Sequence, residues 1–427
     1  MVNRLRILLL GSGDREHALA WTLSRSPLVE KILCIPGNGG TATGDAKIEN
    51  GPPGISMVAF ARLVDFSKEK NVNLVIPGSE EPIVQGIEGW FKKEGIPVFG
   101  PSKGAARLEG SKCFAKDIMA RHSIPTARYW NCSTVEEAYR CLDKIDSPVV
   151  IKASGLAGGK GVLMPSTPEE NRAAVHTMMI QKLYGEAGAE IVIEELLSGD
   201  EISITLVSDG SSLALFPVGQ DAQRILDGNT GANTGGMGVY ASTDLLSAEQ
   251  IDRITKTIFE PTIKGIRDEG HPFMGFICVG LVMTSSGPKL IEYNVRFGDP
   301  EAQTLLPLLD EESDLAEIIL ACLDQRLHSV HFGFVPKYAV SVVIASGGYP
   351  EDYEVGKEIK VTPASGGTML FYAGTILDGR TIRTAGGRVL AVVFLHDTLK
   401  GAVEGAYEGV TLVKFDAVSA LAAYTAR

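Results

Sequence analysis

The chain has 427 residues, of which 44% are hydrophobic and 22% charged, a composition typical of globular proteins and not of disordered or fibrous chains. Its 52 acidic and 40 basic residues give a net charge of −12, which argues against nucleic acids and anionic membranes as partners. A chain of this length is too long to fold around one hydrophobic core, and its length predicts roughly three domains.

Cysteine usage and the N-terminal residues indicate the cellular compartment. Six cysteines are scattered without a Cys-x-x-Cys pair or a metal-ligand spacing, as expected of reduced thiols in a cytoplasmic protein. Arg4 and Arg6 precede the apolar run 7–10, which is far too short for a signal peptide or a membrane span. We therefore expect no targeting segment.

A strand, a glycine turn and a helix open the chain. Residues 5–10 are apolar, and the turn 11–17, which contains Gly13 and Asp14, leads into a helical pattern. This order predicts a doubly wound α/β domain with a parallel sheet, in which the start of the helix is a natural anion site. Glu16 replaces the third glycine of a dinucleotide fingerprint, which argues against NAD.

Three further apolar runs predict strands, two of them followed by polar loops: strands 32–35, 74–77 and 98–100, with loops 36–41 and 78–82. Ligands of parallel sheets bind at the carboxyl ends of the strands, so we expect the three loops of this domain to converge on one crevice. Glu80 suits hydrogen bonds to a sugar diol, but a carboxylate that caps the next helix fits the spacing equally well.

The stretch with the clearest chemistry is a glycine-rich flap. Residues 148–151 and 162–164 predict the strands of a hairpin whose tip carries four glycines and a lysine. Glycine lets backbone N–H groups converge on phosphate oxygens, and lysines supply positive charge. The predicted phosphate contacts are Lys152, Gly158, Gly159 and Lys160. No Walker A spacing is present, and a mobile surface hairpin without a ligand is the alternative.

The segments around the flap predict a small α+β lid. Helical patterns run from 134 to 142 and from 168 to 183, on either side of the flap. Residues 191–197 predict a strand that leaves the lid, and the alternation in 200–206 predicts a strand of the next domain. A strand that joins two domains suits a hinge and an adenine pocket.

Two later segments suggest a ligand site. Residues 221–238 are too glycine-rich for a helix and too long for a hairpin turn, which is typical of functional loops. Glu292 and Asn294 are two residues apart on a predicted strand, so both lie on one face and offer oxygen ligands to a cation. Ordinary alternation on a solvent-facing strand is the alternative, although Arg296 continues the same polar face. Beyond residue 337, short strands and glycine turns predict a separate α+β module.

Several motifs together resemble those of the glycinamide ribonucleotide synthetase (phosphoribosylamine-glycine ligase) family of ATP-grasp enzymes, over nearly the whole chain. The motifs are Arg15-Glu16-His17-Ala18, Pro36-Gly37-Asn38, Leu108-Glu109-Gly110-Ser111-Lys112, the flap, Ile193-Glu194-Glu195, Asn233-Thr234-Gly235-Gly236-Met237-Gly238, Arg296-Phe297-Gly298-Asp299-Pro300-Glu301 and Gly386-Gly387-Arg388-Val389-Leu390. In combination they are highly specific.

The resemblance implies an ATP-grasp fold of α/β and α+β parts. It implies an N-terminal doubly wound domain (1–110), an ATP-grasp domain (111–335) with a mobile lid at about 126–192, and a small C-terminal domain (336–427). The implied reaction is ADP-forming and joins an amino acid such as glycine to an amine such as 5-phosphoribosylamine through an acyl phosphate, in purine biosynthesis. It requires ATP and Mg²⁺ or Mn²⁺, and we expect a monomer or a homodimer.

The resemblance also assigns residues to roles. The nucleotide-binding residues are Lys112, Lys152, Gly158, Gly159, Lys160, Glu194, Glu195, Leu197 and Glu201, and the metal ligands are Glu292 and Asn294. The residues that bind the other substrates are Gly13, Asp14, Glu80, Asp221, Asn233, Thr234, Gly235, Arg296 and Arg388. The catalytic residues are Lys152, Asp221 and Arg296.

Four segments depart from the family pattern. Asp14 replaces a glycine at a helix start, where an aspartate would repel a phosphate. Ala222 and Gln223 replace a histidine and a lysine, and the segments 241–243 and 417–423 also differ. A diverged paralog that acts on a different amine or acid therefore stays open. A non-catalytic nucleotide-binding protein is a further alternative, which the retained metal ligands argue against.

Overall fold

The structure is a computed structural model that describes residues 4–228, 230–242, 244–363 and 366–416, and the backbone of 418–420. The departures at 243, 417 and 421–423 lie outside the described residues. The helices are α1 (Asp14–Ser24), α2 (Phe60–Glu69), α3 (Glu80–Gln85), α4 (Ile87–Lys92), α5 (Arg107–Gly110), α6 (Lys112–Arg121), α7 (Val135–Leu142), α8 (Pro168–Val175), α9 (Ala248–Ile254), α10 (Glu260–Asp268), α11 (Glu301–Leu305), α12 (Leu315–Leu323) and α13 (Leu399–Thr411).

The strands fall into three larger sheets and several two-stranded ribbons. They are β1 (Leu5–Gly11), β2 (Val29–Pro36), β3 (Ile48–Asn50), β4 (Leu74–Pro77), β5 (Tyr129–Cys132), β6 (Val149–Ala153), β7 (Val162–Leu163), β8 (Ile191–Glu195), β9 (Asp200–Asp209), β10 (Leu213–Leu215), β11 (Val218–Asp221), β12 (Arg224–Leu226), β13 (Thr230–Asn233), β14 (Gly238–Ser242), β15 (Met274–Thr284), β16 (Gly287–Asn294), β17 (Tyr338–Ser346), β18 (Lys360–Val361), β19 (Met369–Tyr372), β20 (Thr375–Asp378), β21 (Thr381–Thr384), β22 (Arg388–His396), β23 (Val413–Lys414) and β24 (Val418–Ala420).

The N-terminal sheet is parallel, in the order β3-β2-β1-β4. Alternate residues of β1 face opposite sides, since Ile7 and Leu9 pack with the α1 side and Leu8 with the side of α2 and α4. The predicted doubly wound arrangement is therefore confirmed. The predicted strand at 98–100 is reduced to a single bridge between Val98 and Val75, because Gly100 is followed by a proline that has no N–H to continue the ladder.

The lid is an antiparallel sheet in the order β5-β8-β6-β7, with α7 and α8 on one face. Ile151 and Ile193 point towards those helices, so the neighbouring residues of β6 and β8 point away from them. The predicted helix 168–183 is shorter than expected: α8 ends at Val175 and a π-helical turn, His176–Ile180, follows it. The chain then turns at Lys182, whose φ is +51°.

The central sheet runs through the middle and the C-terminal part of the chain, in the order β16-β15-β9-β11-β14-β17-β22-β19. β14 pairs with β17, for example Tyr240 with Val340, so the C-terminal module, expected to be separate, shares this sheet with the middle of the chain. β17 is buried on both faces, by α13 on one side and around Met237 on the other, and an unpaired edge there would be costly.

The segment 221–238 contains a hairpin, although it was expected to be a loop too long for a hairpin turn. β12 pairs with β13, and Arg224 lies opposite Asn233. The remaining glycine-rich stretch is short, and Thr234 is anchored where its N–H and hydroxyl donate to the Gln223 carbonyl at 2.8 and 2.7 Å. In the part of the chain that the structure describes, no helix is both long and apolar enough to cross a membrane.

Candidate active site

One cavity of about 300 Å³ is lined by residues from all three larger sheets or the helices that follow them. The lid contributes Lys152 and Glu194, the central sheet contributes Glu292 and Asn294, and Glu80 comes from the start of α3. Residues predicted from distant parts of the sequence are thus brought together.

The open face of the lid sheet carries the charged side chains at the lid end of the cavity. Val150 lies opposite Glu194 in the ladder, and Lys152 is two residues further on, so all three share a face. Lys152 Nζ is 3.1 Å from Glu194 Oε1 and 3.3 Å from the Ile291 carbonyl oxygen. Burial would lower the pKa of Lys152, but the carboxylates of Glu194 and Glu292 raise it above the ordinary value. Lys152 is therefore a buried cation.

A second lysine, which sequence reasoning missed, binds the same carboxylate. Lys116, on α6, donates to Glu194 Oε2 at 2.8 Å and to Thr126 Oγ1 at 2.7 Å, and only 2% of its surface is exposed. Burial lowers the pKa of Lys116 to about 8, although Glu194 opposes the shift. No local signal marks Lys116, because its partner is 78 positions away in the sequence.

The base of the flap is joined to the start of α6. The Lys112 N–H donates to the Ser154 carbonyl at 2.8 Å, and Lys112 lines the cavity. Gly158 and Gly159 also line it and have φ of +58° and +76°, a conformation that favours glycine. Lys160, predicted to contact phosphate, is exposed and does not line the cavity.

The other predicted nucleotide residues, Glu195, Leu197 and Glu201, line the cavity. The Glu195 side chain forms an ion pair with Arg128 and accepts a hydrogen bond from Ser147, so its carboxylate is already engaged. Glu201 is exposed at the cavity wall, and partial desolvation there together with the charge of Glu292 raises its pKa.

The predicted metal ligands lie side by side on β16. Gly280 pairs with Glu292 and Leu281 with Leu290, so Ile291 forms a bulge. Glu292 and Asn294 both line the cavity, which excludes the solvent-facing alternative. Among the described residues no group of three or more His, Cys, Asp or Glu side chains is arranged for a metal. Two oxygen ligands still suit a cation that takes its other ligands from phosphates and water.

Carboxylates crowd the next part of the cavity. Asp221 and Glu301 both line it; Glu301 is buried and Asp221 is half-buried. Burial raises the pKa of Asp221, and the charges of Glu301 and Glu201 raise it further. Burial also raises the pKa of Glu301. Asp221 was predicted, whereas Glu301 was quoted within a motif without a role.

Arg296 is held by two carboxylates. Its Nε lies 3.4 Å from Glu80 Oε2, and its Nη2 lies 3.3 Å from Glu109 Oε1. Glu109 Oε2 accepts the Val295 N–H at 2.7 Å, which fixes that carboxylate. Burial would raise the pKa of Glu80, but Arg296 holds it below the ordinary value. Glu109, like Glu301, belonged to a quoted motif without a role.

The glycine-rich loop at 233–235 forms one wall, and Arg388 supports it from behind. Arg388 Nη1 donates to the Gly235 carbonyl at 2.7 Å, and its Nη2 lies 2.7 Å from Asp299 Oδ2. Asn233, Thr234 and Gly235 line the cavity, whereas Arg388, predicted to bind substrate, does not.

The start of α1 is not an open anion site, contrary to expectation. The Gly13 N–H donates to Glu16 Oε2 at 2.7 Å, so the helix satisfies its own first donor. A Cβ added at Gly11 or Gly78 would lie 2.3 or 2.4 Å from the Glu16 carboxyl group. Glu16 therefore fills the space between the glycines, and Gly13 does not line the cavity.

Asp14 is also outside the cavity. It is fully buried at the first position of α1. Burial raises its pKa well above the ordinary value, and the neighbouring carboxylate of Asp299 adds to the shift. The expected repulsion between Asp14 and a bound phosphate has no structural basis here, because Asp14 is enclosed and keeps its proton more readily than an exposed aspartate.

The loop 36–41 contacts the C-terminal part of the chain instead of the cavity. Asn38 Nδ2 donates to the Tyr372 carbonyl at 2.6 Å, and His17 Nδ1 accepts the Tyr372 N–H at 2.9 Å. Of the three loops expected to converge on one crevice, only the last, through Glu80, lines the cavity.

Models of the phosphoribosylglycinamide synthetase family match the chain in three consecutive parts: the N domain over residues 5–109, the ATP-grasp (A) domain over 110–302 and the C domain over 339–420. The chain is 42% identical over 415 residues to phosphoribosylamine–glycine ligase of Vibrio vulnificus (strain YJ016), which covers 96% of each protein. The chain belongs to the phosphoribosylglycinamide synthetase family. This confirms the resemblance drawn from its motifs.

Other members of the family support the fold and show one difference in length. A crystal structure of phosphoribosylamine–glycine ligase from Thermotoga maritima superposes with a TM-score of 0.84 at 32% identity, over 98% of this chain and 99% of that one. The bifunctional purine biosynthetic protein PUR2,5 of Pichia angusta is 49% identical over 420 residues, which are 97% of this chain. The chain spans about half of that relative, 52% of its length. The predicted ATP-grasp fold is confirmed.

Proposed function

We propose that the chain is an ATP-dependent carboxylate–amine ligase of purine biosynthesis that joins glycine to 5-phosphoribosylamine and forms ADP and phosphate. The observation that carries the proposal is the single cavity in which the flap, Lys152, Glu292, Asn294 and Arg296 meet. The names of relatives that match along almost their whole length support the choice of substrates.

The nucleotide occupies the lid end of this cavity. Val150, Val282 and Ile291 offer apolar surface to a purine ring, and Lys112 and Lys152 offer charge to its phosphates. The flap closes over the phosphates and excludes water, which would otherwise hydrolyse an acyl phosphate.

We assign a divalent metal to Glu292 and Asn294, since the fold family uses ATP with such a metal. The donors are oxygens, which suits Mg²⁺ first and Mn²⁺ as a substitute. The surrounding carboxylates of Glu201, Asp221 and Glu301 fit a site that carries additional positive charge when it is loaded. The metal supplies charge neutralisation for the transferring phosphoryl group.

Three side chains carry the chemistry of the chain itself. Lys152 and Arg296 neutralise negative charge on the transferring phosphoryl group and hold the reacting carboxylate in place. Asp221, whose pKa burial raises, accepts the proton that the attacking amine loses. Asn233 to Gly235 and Glu80 orient the amine and its sugar.

The same ligation on a different amine or acid is the second candidate. Arg296 is already paired with Glu80 and Glu109, and Arg388 with Asp299, so neither arginine is a free cation for a substrate phosphate. Gln223 lines the cavity and donates to Glu201 Oε1 at 3.4 Å. An amine that carries no phosphate group would suit these surroundings.

The test is ADP release by the purified chain with ATP, Mg²⁺, glycine and freshly prepared 5-phosphoribosylamine, with the product identified by its mass. Each substrate is left out in turn as a control. Glycinamide ribonucleotide formed only with the full set supports the proposal. ADP release that requires some other amine or acid supports the second candidate, and binding of ATP without any ligation supports a non-catalytic protein. The proposal includes a cytoplasmic monomer or homodimer, which fractionation and light scattering test.

A further inference from the structure

We propose that Lys116 is a positioning residue that holds the Glu194 carboxylate against the purine ring and thereby sets a preference for ATP over GTP. No motif marks Lys116, and it does not line the cavity, although the carboxylate that it binds does. The inference rests on the proposed function only in taking a purine nucleotide as the occupant of the lid end.

Buried side chains that do not line the cavity fix one oxygen of the Glu194 carboxylate. Lys116 Nζ lies 2.8 Å from Glu194 Oε2 and 2.7 Å from Thr126 Oγ1, and the Thr126 hydroxyl donates to the Leu290 carbonyl at 2.6 Å. Lys116 and Glu194 are each about 2% exposed. One oxygen of Glu194 is thus fixed through a chain of hydrogen bonds that ends on β16.

The other oxygen of Glu194 is held by an ion pair with Lys152. Oε1 is buried, lies 3.1 Å from Lys152 Nζ as an ion pair, and accepts no well-aligned hydrogen bond from any described residue. Burial would raise the pKa of Glu194, but Lys152 and Lys116 hold it below the ordinary value, so the carboxylate is ionised and only accepts. When Lys152 leaves this oxygen for a phosphate, a buried acceptor of this kind requires another donor.

The two lysines divide their tasks. Lys152 shares the open face of the lid sheet with Glu194 and lines the cavity, so phosphate oxygens compete with Glu194 for its ammonium group. Lys116 is enclosed and has no such competitor. When Lys152 turns towards phosphate, Lys116 alone keeps Glu194 neutralised and in place.

The group on the purine ring that faces Glu194 Oε1 determines which nucleotide binds more tightly. Adenine carries an amino group, a donor, at the position where guanine carries a carbonyl oxygen, an acceptor. Facing Glu194 Oε1, adenine forms a hydrogen bond to a charged group, whereas guanine brings two acceptors together. Apolar surface from Val150 and Val282, which also line the cavity, serves both rings equally.

The experiment measures the dissociation constants of ATP and GTP, with Mg²⁺, by titration calorimetry on the full chain and on Lys116→Met. We expect the ATP constant to rise at least tenfold and the GTP constant to change less than twofold. In turnover, KM for ATP should rise while kcat stays within threefold and the KM values of the other substrates stay unchanged. Lys256→Met, an exposed lysine that pairs with Asp252 on the surface, is the matched control.

A double-mutant cycle separates positioning from folding. In a Glu194→Gln background, Lys116→Met should change the ATP constant by less than twofold, since the carboxylate it holds is gone. If Lys116→Met alone does not fold, Thr126→Val replaces it, and we expect about a threefold loss for ATP and none for GTP.

Equal shifts for ATP and GTP, in either variant, or additive effects in the cycle, would overturn the inference. The binding measurement contains no acceptor substrate. Failure of the chain to ligate glycine and 5-phosphoribosylamine would therefore refute the proposed function and leave this inference standing.

Discussion

The two ends of the cavity differ in how their positive charges are paired. At the lid end, Lys116 and Lys152 share the single carboxylate of Glu194, so positive charge is in excess. At the opposite end, Arg296 is shared by two carboxylates, and further acidic side chains line the wall. The first arrangement leaves a cation ready for a polyphosphate. The second is a preformed network without spare positive charge, which in the proposed function orients a substrate.

The largest expected effect comes from breaking the network at the acidic end. Arg296→Met leaves the buried carboxylate of Glu109 and the half-buried carboxylate of Glu80 without their cation, which should lower the free energy of unfolding by about 3 kcal/mol. Urea unfolding followed by circular dichroism measures this. Adding Glu109→Gln should restore part of the loss. A change below about 1 kcal/mol in the single variant would show that the pairing contributes little.

The next effect concerns the metal. Glu292→Gln keeps the shape of the side chain and removes its charge, so the fold should survive and turnover should fall about a hundredfold or more, if the metal supplies several kcal/mol of charge stabilisation. Initial rates of ADP formation at varied Mg²⁺ and Mn²⁺ are the readout. Wild-type rates of ADP formation without any divalent metal would contradict the assignment of Glu292 and Asn294.

Lys152→Met tests the other side of the comparison. Because Lys116 still neutralises Glu194, this variant should unfold at nearly the same urea concentration as the parent chain. Loss of a charged contact to phosphate should raise KM for ATP roughly 10- to 100-fold. If the free energy of unfolding of Lys152→Met fell as far as that of Arg296→Met, the proposed difference between the lid end and the acidic end of the cavity would be wrong.

Local patterns in the sequence predicted the parts of the site that depend on neighbours in the chain. The period of two along a strand placed Glu292 and Asn294 on one face, and the glycine spacing located the flap. The bulge at Ile291 does not follow from that period, since it depends on the pairing of β15 with β16. Lys116 was missed for the same reason, because its role depends on an element far away in the sequence.

The errors arose where a side chain took a partner that spacing does not specify. The start of α1 looked like an anion site, but the Glu16 side chain turns back onto the Gly13 N–H. The C-terminal module was predicted to be separate, because no local sequence pattern shows that β14 pairs with β17. Glycine content and length predicted a loop at 221–238 that is too long for a hairpin turn, whereas Arg224 and Asn233 pair across a hairpin.

A smaller effect is expected in the flap. If residues 154–161 close over the nucleotide, their amide hydrogens should exchange about tenfold more slowly with saturating ATP and Mg²⁺ than without them. Hydrogen exchange detected by mass spectrometry measures this, with the hairpin β20–β21, which lies outside the cavity, as an internal reference. Exchange in the flap that is indifferent to nucleotide would leave the alternative of a mobile surface hairpin.

The smallest effect concerns Asp14, the departure that first suggested a different acceptor. Asp14 is enclosed beside Asp299 and does not line the cavity, so Asp14→Asn should change KM for the amine less than twofold.

Burial raises the pKa of Asp14 in the folded chain, so the proton bound there stabilises the fold at low pH, and this contribution is lost as pH rises towards the raised value. An asparagine donates a hydrogen bond to Asp299 at every pH. Asp14→Asn should therefore add about 1 kcal/mol to the free energy of unfolding at pH 7, and the gain should disappear near pH 4, where the unfolded aspartate also becomes protonated. Gln223→Lys, which changes a residue of the cavity wall, is the matched comparison, because a cation placed there can contact the phosphate of a phosphorylated amine. An improved KM for 5-phosphoribosylamine in Asp14→Asn but not in Gln223→Lys would mean that the acidic end of the cavity extends to α1.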